Sequence, residues 1–184
     1  MLRADHRTVE RLFAQFEQLG PRAHRAQEDV VKTLIRELSI HASIEETVFY
    51  PAVRETLEDG DLVLEALEEH HLVKLTLAEL DGMPPSAERY AAKVTVLIEN
   101  VRHHVEEEEQ ELFPKVRDAM TRAQLDVLGA ALLQAKRSAP TKPHPHSPDA
   151  PPANMLASAI TAPLDAARSV GEAAVRKVRQ SIRS

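Results

Sequence analysis

Imidazoles move protons or hold metals at ordinary pH, and this chain of 184 residues carries nine histidines against six aromatic residues and no cysteine. The lack of cysteine excludes disulfide frameworks, thiolate zinc sites, iron–sulfur clusters and thiol catalysis. Four histidines fall in register with apolar residues at helical spacing. His6 precedes Val9 by three residues and shares the face of Val9, Phe13 and Phe16. The series 34, 38, 41, 45, 48 runs Leu, Leu, His41, Glu45, Val, and the series 66, 70, 73, 77, 80 runs Ala, His70, Val, Leu, Leu. The series 97, 101, 104, 108, 112 runs Leu, Val, His104, Glu108, Leu. A buried carboxylate without a partner costs on the order of several kcal/mol. Bound metal is the simplest way to satisfy two of them among four imidazoles. His and Glu at i and i+4 lie roughly 5–6 Å apart on one side of a helix, so each pair can share an ion or bridge two. Imidazole with carboxylate suits iron, manganese or zinc.

The other histidines read differently. His24 lies among charges, and His144 and His146 fall in a proline-rich stretch, so all three belong to solvated surface. His103 shares its line with Val96, Asn100 and Glu107, a mostly polar face, whereas His71 has an apolar stripe in Leu64, Leu67 and Leu75. Glu46 and Glu109, next to the inward carboxylates, are candidates to hold the imidazoles from behind.

The elements that must position these groups are helices. Glycine and proline cluster at Gly20-Pro21, at Asp59-Gly60-Asp61 and at Gly82 to Ser86, with Asp61 and Ser86 placed to cap the next helices. The four segments between them show helical apolar spacing and no strand alternation. The fold is therefore all-α, an up-down-up-down four-helix bundle. Thr121 to Gln124 is a capping box opening a short extra helix, which completes a first domain over residues 1–137. Residues 138–153 read as a proline-rich linker, since seven of the twelve prolines fall between Pro140 and Pro163. Residues 154–184 read as a basic amphipathic helical tail, with Leu164, Ala167, Val170, Ala174 and Val178 opposite Arg168, Arg176, Lys177 and Arg179. The net charge is −9 over residues 1–137 and +3 beyond. That balance argues against a nucleic-acid partner, and the small apolar residues of the tail favour self-association or a protein partner over a membrane. No start of the leader type and no membrane-length apolar run is present, so a cytoplasmic protein is expected.

The bundle is also a repeat. His41-Ala-Ser-Ile-Glu45-Glu46-Thr-Val-Phe-Tyr-Pro51 aligns without a gap on His104-Val-Glu-Glu-Glu108-Glu109-Gln-Glu-Leu-Phe-Pro114, and the upstream histidines lie 35 and 34 residues before each. One helix pair used twice arranges the metal-binding residues around a pseudo-twofold axis. Pro51 and Pro114 are each expected to kink or end a helix beside the site.

These paired signatures resemble those of the hemerythrin-like family, the HHE cation-binding domains, over about residues 1–118. The resemblance implies two non-haem iron ions joined by an oxo or hydroxo bridge. It assigns His6 and His41 to one iron, His70 and His104 to the other, and Glu45 and Glu108 to both as bridges. Oxygen-carrying hemerythrins have a further histidine where this chain has Lys74, and they place the second carboxylate five residues after the fourth-helix histidine, where this chain has Glu109. Fewer histidines imply more open coordination positions, which favours chemistry on small oxidants over reversible oxygen carriage. Hydrogen peroxide, nitric oxide and dioxygen are the candidate ligands, in a peroxidase- or catalase-like or nitric-oxide-reacting role in redox protection. The alternatives are an iron, oxygen or redox sensor without turnover and a structural zinc bundle. Tyr50, opposite Phe113 in the repeat, is either an iron ligand, a hydrogen-bond donor to peroxide, or packing at the kink.

Overall fold

The computed structural model describes residues 1–57 and 61–145. Within them the chain is helical and contains no strand. Helix α1 is Leu2–Glu17. Helix α2 runs His24–Ile44, passes through a π-helical turn over Glu45–Phe49 and resumes as Tyr50–Thr56. Helix α3 is Asp61–Leu80. Helix α4 runs Tyr90–Glu107, passes through a second π-helical turn over Glu108–Leu112 and resumes as Phe113–Ala119. Helix α5, Arg122–Lys136, opens on the expected capping box of Thr121 and Gln124. The tail at 154–184, most of the linker and the Asp59-Gly60 step lie outside the described residues. Residues 138–145 carry no regular element, and Lys142 ties them to Asp81 through a 2.9 Å ion pair.

Local chemistry sets most of the boundaries. Gly82 turns the chain after α3 with φ of +128°, a value that only glycine adopts without strain. Ser86 does not cap α4, because turns closed by the Pro84 and Ala87 carbonyls intervene and delay the helix to Tyr90. The two prolines neither end their helices nor open a break. Proline has no N–H to offer the preceding turn, and in both helices that turn is widened to i→i+5 bonding. The Tyr50 N–H donates to the Glu45 carbonyl, and the Phe113 N–H donates to the Glu108 carbonyl. The widening shifts the helical phase of every later residue in the element. Val48, expected inward, is only half-buried, and Phe49, Tyr50 and Val53 face the interior instead.

The apolar core is divided in two. One part joins Phe13, Leu34, Leu77 and Leu97 from the four bundle helices; the other joins Ile44, Val53, Val63 and Leu112, closed by Leu128 and Leu132 of α5. Between them lies a layer of four histidines and two glutamates, all buried. Each fully buried Leu or Ile contributes roughly 1.5–3 kcal/mol. The two apolar parts can therefore carry the fold while the layer between them is reserved for polar groups that cost stability on their own.

Candidate metal centre

Each helix of the bundle delivers one imidazole to this layer: His6 from α1, His41 from α2, His70 from α3 and His104 from α4. The imidazoles meet in two pairs. His6 Nε2 lies 3.1 Å from His41 Nε2, and His70 Nε2 lies 3.1 Å from His104 Nε2. Glu45 and Glu108 stand as the first residues of the two π turns and lie between the pairs. One oxygen of Glu45 is 3.1 Å from His41 Nε2 and 3.5 Å from His70 Nε2. One oxygen of Glu108 is 3.3 Å from His6 Nε2 and 3.8 Å from His104 Nε2. Each carboxylate thus touches one member of both pairs, and the six residues expected from the sequence are brought together.

The outer ring nitrogens decide what the inner ones can do. His6 Nδ1 donates to Glu109 at 2.9 Å, His70 Nδ1 to Glu46 at 3.1 Å and His104 Nδ1 to Glu69 at 2.7 Å. A carboxylate only accepts, so Nδ1 carries the proton and a neutral ring presents a lone pair at Nε2. In the second pair two such nitrogens face one another, and in the first His6 Nε2 faces His41 Nε2, whose ring has no hydrogen-bond partner at Nδ1; a cation between the nitrogens would relieve either contact. Burial and the neighbouring His6 push His41 well below the ordinary imidazole value, which opposes a proton there. Burial also lowers His104, but its hydrogen bond to Glu69 and the charge of Glu108 outweigh it and its pKa is raised. Both oxygens of Glu45 and Oε2 of Glu108 are buried without a hydrogen-bond partner. Metal would satisfy the facing nitrogens and the orphaned oxygens together, and the donor sets of two clusters, His6 with His41, Glu45 and Glu108, and Glu45 with His70 and His104, fit it.

Without a cation the two carboxylates cannot both keep their charge. Burial, and then the adjacent Glu108, push Glu45 well above the ordinary carboxylate range. Burial acts on Glu108 in the same direction, but the adjacent His6, 3.3 Å away, and the fields of His104 and His41 hold it down to about 2. Tyr50 is 1% exposed, and its hydroxyl donates to Glu108 Oε1 at 3.0 Å, 3.2 Å from His70 Nε2 and 3.4 Å from His104 Nε2. Burial, and then the charge of the adjacent Glu108, raise the phenol well above its usual value, so the proton stays on oxygen. The repeat-equivalent Phe113 instead stacks on the His6 ring, with centroids 5.8 Å apart.

A family match accords with this geometry: the model of the hemerythrin HHE cation-binding domain covers residues 1–116. The chain belongs to the hemerythrin HHE family. This hemerythrin-like chain is 30% identical over 138 residues to an uncharacterised hemerythrin-like protein of Schizosaccharomyces pombe, covering 74% of this chain and 68% of that one. It is also 30% identical over 136 residues to a protein of Nostoc named as a DNA nickase, a match spanning 74% of this chain and 38% of the relative. Its fold matches the crystal structure of a hemerythrin HHE cation-binding domain-containing protein from Mycobacterium kansasii with a TM-score of 0.60 at 24% identity, covering 74% of this chain and 85% of that one. No described helix is long and apolar enough to cross a membrane.

Sequence reasoning on the hemerythrin-like pattern finds the inner layer and half of the layer behind it. Glu46 and Glu109 hold imidazoles as expected. The roles of Asp5 and Glu69 escape it, although each directly precedes an upstream histidine, an acid-histidine step shared by the two halves of the repeat. Asp5 Oδ2 faces His41 Nδ1 at 3.9 Å, beyond hydrogen-bond range. Lys74, standing where oxygen carriers have a histidine, is buried with its Nζ 3.0 Å from Glu46 and so acts on His70 through that carboxylate. His24, His103 and His144 are exposed and His71 is half-buried.

Proposed function

We propose that this protein is a non-haem di-iron protein that reacts with small oxidants, with hydrogen peroxide, nitric oxide and dioxygen as candidates, in redox protection. The observation that carries the reading is the placement of Glu45 and Glu108, each within reach of one imidazole from both pairs. His6 and His41 would hold one iron and His70 and His104 the other, with the carboxylates bridging. Two such ions supply one-electron chemistry by cycling between ferrous and ferric states, which no side chain of this site provides.

Access supports a small ligand. A chamber of about 20 Å³ borders all four histidines and is otherwise lined by apolar or small residues such as Val9, Leu38 and Val73. About 10–15 Å³ of this measure accommodates one water, so a diatomic or a peroxide fits and a larger substrate does not. A cleft of about 430 Å³ between α1 and α4, with Arg3, Arg7 and Arg102 on its walls, shares His6, Val9, Val101 and Val105 with the chamber. These three valines form the partition between solvent and site. A Val105→Phe variant is expected to keep its iron and to slow the reaction with peroxide at least tenfold in stopped-flow absorbance. An unchanged rate would move the entry elsewhere.

Tyr50 Oη, His70 Nε2, His104 Nε2 and Glu108 Oε1 supply separations of 3.0–3.4 Å. Tyr50 is therefore proposed as a ligand that would join His70 and His104 on the second iron, giving up the proton that it otherwise donates to Glu108. Tyr50→Phe should then abolish a visible charge-transfer band while iron content is kept, and an identical spectrum would exclude ligation.

Metal analysis joined to an optical spectrum before and after peroxide tests the whole reading. Zinc without colour would sink it. A second reading, a sensor without turnover, is favoured by Lys136 at the end of α5, whose Nζ holds Asp5 beside His41 at 2.7 Å. That contact ties the site to the segment leading toward the tail, where a protein partner or a second copy would bind. Iron-dependent stability without peroxide consumption distinguishes the sensor.

A further inference from the structure

Four carboxylates stand behind the four imidazoles, and three of them have their other flank held by a cation of the chain. Lys74 Nζ meets Glu46 Oε2 at 3.0 Å, Arg3 meets Glu109 Oε2 at 3.0 Å, and Lys136 Nζ meets Asp5 Oδ1 at 2.7 Å. Glu69 is the fourth. Its Oε2 holds His104 Nδ1, and no lysine or arginine among the described residues meets its Oε1. What meets it is His103, whose Nε2 lies 3.9 Å from Glu69 Oε1 and 3.3 Å from Glu107 Oε1. The three donor atoms lie within 4.8 Å of one another.

From this we infer that Glu69, His103 and Glu107 form an outer site for a divalent transition cation, filling at Glu69 the position that Lys74, Arg3 and Lys136 fill at its three counterparts. The chemistry of the donors fits: one imidazole nitrogen and two carboxylate oxygens suit Zn²⁺, with water completing the shell. The spacing fits as well, since 3.3 and 3.9 Å match or slightly exceed the ~3.3 Å expected between donors on a tetrahedral ion with bonds of ~2.0–2.1 Å. His103 and Glu107 are one turn apart on α4 and Glu69 is on α3, so the cation clips two helices. His103 is 64% exposed and Glu107 37%, which leaves the site open to an ion from solvent, whereas Glu69 at 21% is fixed by His104. The repeat gives an internal contrast. The positions equivalent to His103 and Glu107 are Ile40 and Ile44, and it is there, next to Asp5, that the chain supplies Lys136. The outer ion would be joined to His104 by a single carboxylate.

The test is a calorimetric titration of Zn²⁺ into the full, iron-loaded protein and into its His103→Ala and Glu107→Gln variants, with bound iron counted before and after. Wild type should take up one more Zn²⁺ per chain than His103→Ala at the concentration that saturates this site, with at least tenfold tighter binding. Glu107→Gln should weaken it in the same direction. Background sites such as His144 and His146 contribute equally to all three. Equal stoichiometry and affinity in wild type and His103→Ala would overturn the inference, as would Zn²⁺ uptake matched by iron loss, which would mark displacement from the inner clusters. Both substitutions lie outside the inner layer, so failure here leaves the di-iron reading intact.

Discussion

Stripping the metal from the protein at pH 7.5 should lower its thermal midpoint by about 15 °C or more. Without cations, two pairs of imidazole nitrogens face each other at 3.1 Å, and three buried oxygens of Glu45 and Glu108 have no hydrogen-bond partner. An ion present at a thousandfold over its dissociation constant stabilises the folded state by about 4 kcal/mol, so two ions contribute roughly 8 kcal/mol. For a chain of this size, 1 kcal/mol moves the midpoint by about 2–4 °C. Differential scanning calorimetry of loaded and chelator-treated protein measures the difference. A shift below about 3 °C would mean that the buried layer is organised by its own hydrogen bonds, and metal would lose its structural part.

The second large effect has opposite signs in the two states of the protein. Glu45→Gln should remove at least half of the bound metal, because a neutral amide cannot replace a carboxylate reaching both imidazole pairs. In the metal-free protein the same change should stabilise the fold at pH 8 by about 1–4 kcal/mol, within what a raised carboxyl loses at ~1.4 kcal/mol per pH unit above its unfolded value. The direction follows from the raised pKa of Glu45, which burial and Glu108 place well above the ordinary carboxylate value. Below about pH 4.5 the group is protonated in both the folded and unfolded chain and costs nothing. As pH rises from there through the raised folded value, ionisation favours the unfolded chain, with a slope of up to about 1.4 kcal/mol per pH unit. The glutamine variant lacks that slope. His41 and His70, both lowered chiefly by burial, lie 3.1 and 3.5 Å from Glu45, so the comparison reads the carboxyl together with its effect on these two rings. Urea midpoints of the metal-free pair between pH 5 and 8 give the answer, and parallel curves would show that Glu45 ionises alike in the folded and unfolded chain and that its burial carries no penalty. The same linkage makes metal affinity rise with pH, since an ion must displace the proton that Glu45 otherwise holds.

The inner layer is legible in the sequence because it violates the apolar periodicity of each helix at one or two positions, and a buried charge there has few explanations. The helix boundaries come largely from glycine, proline and the Thr121 capping box. Two things are hidden. Asp5 and Glu69 act across helices on rings 36 and 35 residues away, at His41 and His104, and nothing in a single helical pattern links such positions; only comparison of the two repeat halves could pair them. The orientation beyond Glu45 is also lost at Val48, because a fixed period of 3.6 residues assumes that the helix stays α-helical, and the turn before Pro51 does not. Lys74 looks like a missing ligand and is instead a support for Glu46, a role that depends on burial rather than on spacing.

Each π turn contains one residue more than an α-helical turn needs, and one residue is worth about 100° of rotation about the axis. The two helices therefore reset their phase just after Glu45 and Glu108, at the same point in both halves. Without the reset, a single straight helix could present His41 and Glu45 to the centre or Tyr50 and Val53 to the interior, but not all four. The extra residue acts as an angular offset written into the chain. Shortening either turn by one residue would leave every helix in place and every later side chain aimed elsewhere.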